Sequence, residues 1–197
     1  VIGNALEQEI MGLYNGEISA MYSINQIAAL LNKKYPYINK KVTSLINQEI
    51  FKMTIVGRSH LCSLNLKNEE TIIILILNEI KRKKAELRKN KSLYKLIDYI
   101  EKLSRTAFIS VALKKDNTLI LVSENTDKFD SIRKGIPKQI FNECKIELLV
   151  KDDFLKLLLK DKSFYQSRII LYGFEKYYEY VRAVEDELKL KYSKLIP

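Results

Sequence analysis

Two alternating runs, FKMTIV at 51–56 and LCSLNL at 61–66, are separated by only Gly57, Arg58, Ser59 and His60. Side chains of a strand alternate between its two faces, and a connection this short cannot carry a parallel crossover. The pair therefore reads as an antiparallel hairpin with Arg58 at its tip and His60 as a solvated turn residue. Three short apolar stripes precede it, each at helical spacing.

Leu6, Ile10, Leu13 and Tyr14 mark a first helix over about 5–14, ended by Asn15-Gly16, where glycine admits a left-handed turn. Ser23 and Gln26 form an S-x-x-Q capping box, and Ile24, Ile27, Ala28 and Leu31 are the buried stripe of a second helix. Pro36 stops that pattern. A third helix is expected over about 38–49. Ile38, Val42, Leu45 and Ile46 share its apolar face; Lys40, Ser44 and Asn47 lie opposite, with Tyr37, Lys41 and Thr43 at the margins. None of the polar set is needed to fill a core, and each can hydrogen-bond a phosphate or a base edge. A polar face is also what any solvated helix shows, and Tyr35 and Tyr37 could pack the turn.

Three helices followed by a hairpin resemble the winged helix-turn-helix DNA-binding family, in the form found in bacterial and archaeal regulators. The resemblance covers about residues 3–67. It implies a third helix in the major groove and a hairpin along the backbone or minor groove. By position it implies Tyr37, Lys40, Lys41, Thr43, Ser44 and Asn47 in the groove and Arg58 at phosphate. Charge agrees in sign: the 197 residues carry a net +10, a field that attracts polyanions.

No apolar run approaches the ~20 residues that span a bilayer, and the N-terminus lacks the order of a signal peptide. Cys62 and Cys144 lie far apart without metal-ligand spacing and read as reduced thiols of a cytoplasmic protein. A connector helix is expected within 68–91. Glu69 and Glu70 begin it, Ile72 to Leu77 supply its apolar run, and Lys81 to Lys91 supply the basic end that suits the helix dipole. Its apolar side would bury against both domains or against the same helix of a second chain.

Residues 92–197 read as a second domain. Leu93, Leu96, Ile97, Ile100 and Leu103, capped by Ser92, mark a helix; 106–113, 118–123 and 145–150 read as strands; Asp152-Asp153 opens a helix with Phe154, Leu157 and Leu158. Tyr177, Tyr178 and Tyr180 could form core or a contact surface, with core the expectation. The stretch DDFLKLLLKDKSFYQSRIILYGFEKYYEYV, with this order of elements, resembles the minimal nucleotidyltransferase family over about 92–183. Active members of that family hold nucleotide phosphates on a Gly-Ser pair and magnesium on three carboxylates, because metal must neutralise the charge developing in phosphoryl transfer. Here the Gly-Ser position reads Ile109-Ser110, the paired aspartate positions fall on Asn117 and Leu119, and only Glu147 remains. Asp116 could replace one ligand by a register shift, but not the phosphate site. Glu124, Asp127 and Asp130 read as a solvated acidic loop.

The expectation is an α+β chain: a winged helix-turn-helix at 1–67, a connector helix at 68–91, and a small mixed-sheet nucleotidyltransferase-like domain with flanking helices at 92–197. It is expected to bind double-stranded DNA as a homodimer and to regulate transcription, with the second domain a pseudoenzyme. No catalytic residue, metal or cofactor is expected. The second domain would serve as scaffold or sensor, with its effector or protein partner left open. An antitoxin-like interaction module and a residual nucleotidyltransferase are the alternatives.

Overall fold

The computed structural model describes residues 4–103, 110–124, 126–127, 129–136 and 138–192. The fold is α+β. The chain divides into two compact units, one holding the residues up to Asn78 together with those from Glu185 onward, the other running from Glu79 to Val184.

The first unit begins with α1 (Ala5–Asn15). Asn4 caps it: its side chain accepts from the Glu7 N–H at 3.0 Å, while the Glu7 carboxylate accepts from the Asn4 N–H at 2.9 Å. This Asn-x-x-Glu box satisfies two backbone donors that a helix start leaves unpaired. The helix does not end in a left-handed glycine, as its sequence had implied. Gly16 sits at φ −84°, and its N–H bonds the Tyr14 carbonyl in a tight right-handed turn. Then come β1 (Tyr22–Ser23) and α2 (Ile24–Leu30), the latter started by the expected Ser23–Gln26 box, with bonds of 2.7 and 3.2 Å. Left-handed turns do occur, but at Asn32 (φ 50°) after α2 and at Glu49 (φ 57°) after α3 (Tyr35–Asn47). Pro36 lies in the first turn of α3, where its missing N–H removes no bond, so this helix starts three residues earlier than the apolar stripe implies.

The hairpin forms from β2 (Phe51–Val56) and β3 (Ser59–Leu64). Val56 pairs with Ser59, so the loop is two residues, Gly57 and Arg58, rather than four. Gly57 at φ 58° supplies the left-handed first position that a two-residue hairpin turn requires. β1 adds to the other side of β3, giving the order β1-β3-β2. Tyr14 sits at the centre of the unit: fully buried, it donates to the Cys62 carbonyl at 3.0 Å and packs against Tyr22 and Phe51, at 5.1 and 5.2 Å between ring centroids. Ile10, Met11, Ile27, Ile38, Val42 and Leu45 are buried in the same unit. The connector is a helix, α4 (Glu69–Lys89), and the division between the two units falls inside it. The last helix, α11 (Glu185–Tyr192), groups with the first unit rather than with 92–184.

The second unit is a four-stranded mixed sheet with helices on both faces. It holds α5 (Ser92–Leu103), β4 (Ser110–Leu113), β5 (Thr118–Ser123), α6 (Phe129–Gly135), α7 (Lys138–Glu143), β6 (Lys145–Val150), α8 (Lys151–Lys160), α9 (Lys162–Ser167), β7 (Ile169–Tyr172) and α10 (Phe174–Ala183). Strand order is β6-β5-β4-β7, with β4 antiparallel to both neighbours and β5 parallel to β6. Every residue of β4 and β5 is buried, as expected for strands covered on both sides. Val111, Leu113, Leu119 and Leu121 face a cluster with Leu87, Leu93, Leu96 and Ile140. Across the sheet lie Ala112, Ile120, Val122 and Ile170, all buried, and α8 to α10 bring Phe154, Phe164 and Tyr177. Ile109 and the rest of 104–109, with the side chains of Ser92, Ile100 and Leu103, lie outside the described residues.

The three tyrosines are core, as read: Tyr177, Tyr178 and Tyr180 are 0, 1 and 4% exposed. Beneath them a charge is buried. Arg168 and Glu79 are both fully enclosed and meet at 3.0 Å. The Arg168 guanidinium lies over Tyr177 at 4.9 Å, and Arg82 reaches both the Glu79 carboxylate, at 3.3 Å, and the Arg168 carbonyl, at 2.7 Å.

Candidate nucleic-acid interface

The amphipathic stripe of α3 decides which side chains remain available. Ile38, Val42 and Leu45 are buried, so Tyr37, Lys40, Thr43 and Asn47 are turned outward and exposed. Tyr37 is 61% and Tyr35 45% exposed, so neither packs the turn. Ser44 is half-buried and accepts from the Gln48 side-chain amide at 2.9 Å. Gln48 thus joins the polar face although the stripe alone does not mark it.

Lys41 differs from the others. Its ammonium lies 2.6 Å from the Glu7 carboxylate, with both groups largely covered. Glu7 is the residue that closes the α1 capping box, so one carboxylate ties the start of α1 to the flank of α3. This removes Lys41 as a freely directed cation and gives it a positioning role. The signal was present as Asn4-x-x-Glu7 ahead of an apolar stripe, but the pairing joins residues 34 positions apart. Tyr37, Lys40, Lys41 and Ser44 line one side of an open groove of about 470 Å³, and Asn4, Ala5 and Leu6 line the other. Thr43 and Asn47 are exposed farther round α3, and Arg58 is exposed at the hairpin tip on a separate element.

In the second unit the polar residues that the resemblance singles out are spread along one ladder. Ser110 pairs with Val122 and Leu113 with Leu119, so Ser110 lies at one end of the β4–β5 ladder and Asn117 at the other. Ser110 is buried and donates to the Tyr172 carbonyl at 3.3 Å. Leu119 is fully buried in the apolar cluster. Glu147 is bound to the Lys145 ammonium at 2.8 Å. Asp116 accepts from the Thr118 N–H at 3.1 Å inside the β4–β5 turn, and hydrogen bonding to Thr118 holds its carboxyl below the ordinary aspartate value. Among the described residues no group of three or more His, Cys, Asp or Glu is placed to hold a metal ion. Glu124 borders a cleft of about 320 Å³ with Lys151, Lys176, Glu179 and Tyr180, while Asp127 and Asp130 stay in solvent contact.

No family model, curated protein or solved structure matches this chain. Among the described residues no helix is long and apolar enough to cross a membrane. The functional reading therefore rests on the chain's own geometry.

Proposed function

We propose that the chain is a double-stranded DNA-binding protein, a cytoplasmic homodimer that regulates transcription. In this reading the first unit is a winged helix-turn-helix: α3 enters the major groove with Lys40, Ser44 and Asn47, flanked by Tyr37 and Thr43, and Arg58 meets the phosphate backbone. Lys41 supports α3 through Glu7. The second unit is a nucleotidyltransferase-like scaffold or sensor without transfer chemistry.

The observation that carries the reading is the uncovered outer face of α3. A helix packed by Ile38, Val42 and Leu45 on one side, with polar side chains of groove-reading type open on the other, offers the shape a major groove accepts. Net charge of +10 supplies the attraction. The non-catalytic reading is supported by the register that sets Ser110 and Asn117 at opposite ends of one ladder and by Leu119 in the core.

The test begins by selecting bound duplexes from a random pool with the full chain. Affinity for the selected site is then measured against salt for the native chain and for Lys40→Ala with Ser44→Ala. Arg58→Ala, measured alongside, removes a phosphate contact and should shallow the salt slope by about one, whereas loss of the groove contacts of Lys40 and Ser44 should cost about 1–3 kcal/mol of discrimination. Failure to enrich any duplex, or equal losses from substituting lysines in α11, would remove α3 from the reading.

A further inference from the structure

The outer edge of the hairpin is the part of the first unit that DNA recognition through α3 leaves unused. In the order β1-β3-β2, β3 has a neighbour on each side and β2 has one. Lys52 to Val56 are all exposed, and Met53, Ile55 and Val56 reach 47, 64 and 55%. A six-residue edge strand with one charge and three open apolar side chains pairs readily with another strand unless something covers it. Among the described residues no backbone group bonds that edge.

The turn determines which groups the edge offers. Val56 and Ser59 close a two-residue loop and form a hydrogen-bonded pair; such pairs alternate along an antiparallel ladder. Lys52, Thr54 and Val56 therefore direct their backbone groups at β3, and Phe51, Met53 and Ile55 direct theirs outward. The Asn65 N–H bond to the Ile50 carbonyl, 3.0 Å, lies one step beyond and is a bond to the same partner strand segment.

We propose that β2 pairs antiparallel with β2 of a second copy about a two-fold axis at Met53, so that this edge is the homodimer interface. The inference rests on the homodimer reading above and names its surface. In this register Met53 faces its counterpart, Phe51 faces Ile55, and the one charge, Lys52, faces Thr54. Phe51, Met53 and Ile55 of each copy share one face and continue from the core, since Phe51 is itself 2% exposed against Tyr14. Shifting the axis to Lys52 would set two ammonium groups opposite each other. Shifting it to Thr54 would set Phe51 against Gly57. With a strand rise of about 3.4 Å per residue, the two Arg58 side chains would stand about 30 Å apart along the paired strands, close to one turn of duplex.

The test uses the full chain without DNA. Sedimentation equilibrium should give a dimer for the native chain and a monomer for Met53→Lys, with unchanged circular dichroism. In a Cys62→Ala background, which removes an intrachain partner, Met53→Cys should form an interchain disulfide under mild oxidation, because a hydrogen-bonded antiparallel pair sets Cα atoms about 5.5 Å apart. Thr54→Cys in that background should not. A native dimer that survives Met53→Lys, or cross-linking through residue 54 in place of residue 53, overturns this interface and leaves the homodimer reading standing. A monomeric native chain overturns both.

Discussion

At the scale of single residues, the most consequential pair is Arg168 and Glu79. Two charges removed from water are costly, and here they are held by each other, by Arg82 and by the Tyr177 ring. Removing Glu79 leaves the enclosed Arg168 charge without its carboxylate, whereas removing Arg168 leaves Glu79 still paired with Arg82, and replacing both by apolar residues removes the cost along with the attraction. Glu79→Leu should therefore destabilise the second unit by about 3–5 kcal/mol in urea denaturation, and Arg168→Met added to it should recover much of that loss. Cys62 obeys a simpler rule. Burial pushes its thiol up to about 11, so at pH 8 about one molecule in a thousand carries the thiolate that attacks disulfides. Labelling of Cys62 by an aromatic disulfide reagent should be slow in the native protein at pH 8, accelerate as pH rises toward that value, and become fast in denaturant. The spacing of Cys62 and Cys144 already points to a reduced thiol at 62, but nothing near Arg168 or Glu79 in sequence marks those two as partners.

At the scale of elements, α1 and α3 are coupled through one carboxylate. Glu7 closes the Asn4 box and holds Lys41, so loosening the start of α1 also frees the flank of α3. Asn4→Ala should cost about 1 kcal/mol of stability through the cap. If α3 reads DNA, the same variant should also weaken site affinity although Asn4 need touch no base; parallel denaturation and binding titrations check both. The elements best foreseen were those with strong local marks. The Ser23–Gln26 box starts α2, the alternating runs form the hairpin, and acids at one end and bases at the other accompany α4. The weakest reading was around residues 129–173, where α6, α7, α9 and β7 were not separated. β7 has four residues and owes its strand state to pairing with β4, some sixty positions earlier in the chain. Gly173 at φ 71° then turns the chain into α10. A strand so short carries too little periodicity to be recognised without its partner.

At the scale of the whole molecule, the division between the two units falls inside one helix. Glu79 and Leu87 belong to α4, yet Glu79 pairs with Arg168 and Leu87 joins the apolar cluster of the second unit. A fragment beginning at Ser92 would lack both and would leave Arg168 without its carboxylate. It should show no cooperative unfolding transition, whereas a fragment that keeps α4 whole should unfold cooperatively; circular dichroism against urea distinguishes them.

The sequence by itself determined the helix stripes, the capping box at Ser23, the antiparallel hairpin and the absence of paired aspartates at 117 and 119. Each is set within a few residues, because helix and strand periodicities and turn geometry are short-range properties of the backbone. Only the tertiary structure decided that Lys41 is spent on Glu7, that Arg168 is buried against Glu79, that Ser110 and Asn117 stand at opposite ends of a ladder, and that β2 keeps an open edge. Those facts depend on which distant surfaces exclude water from one another, and no local pattern names the partner.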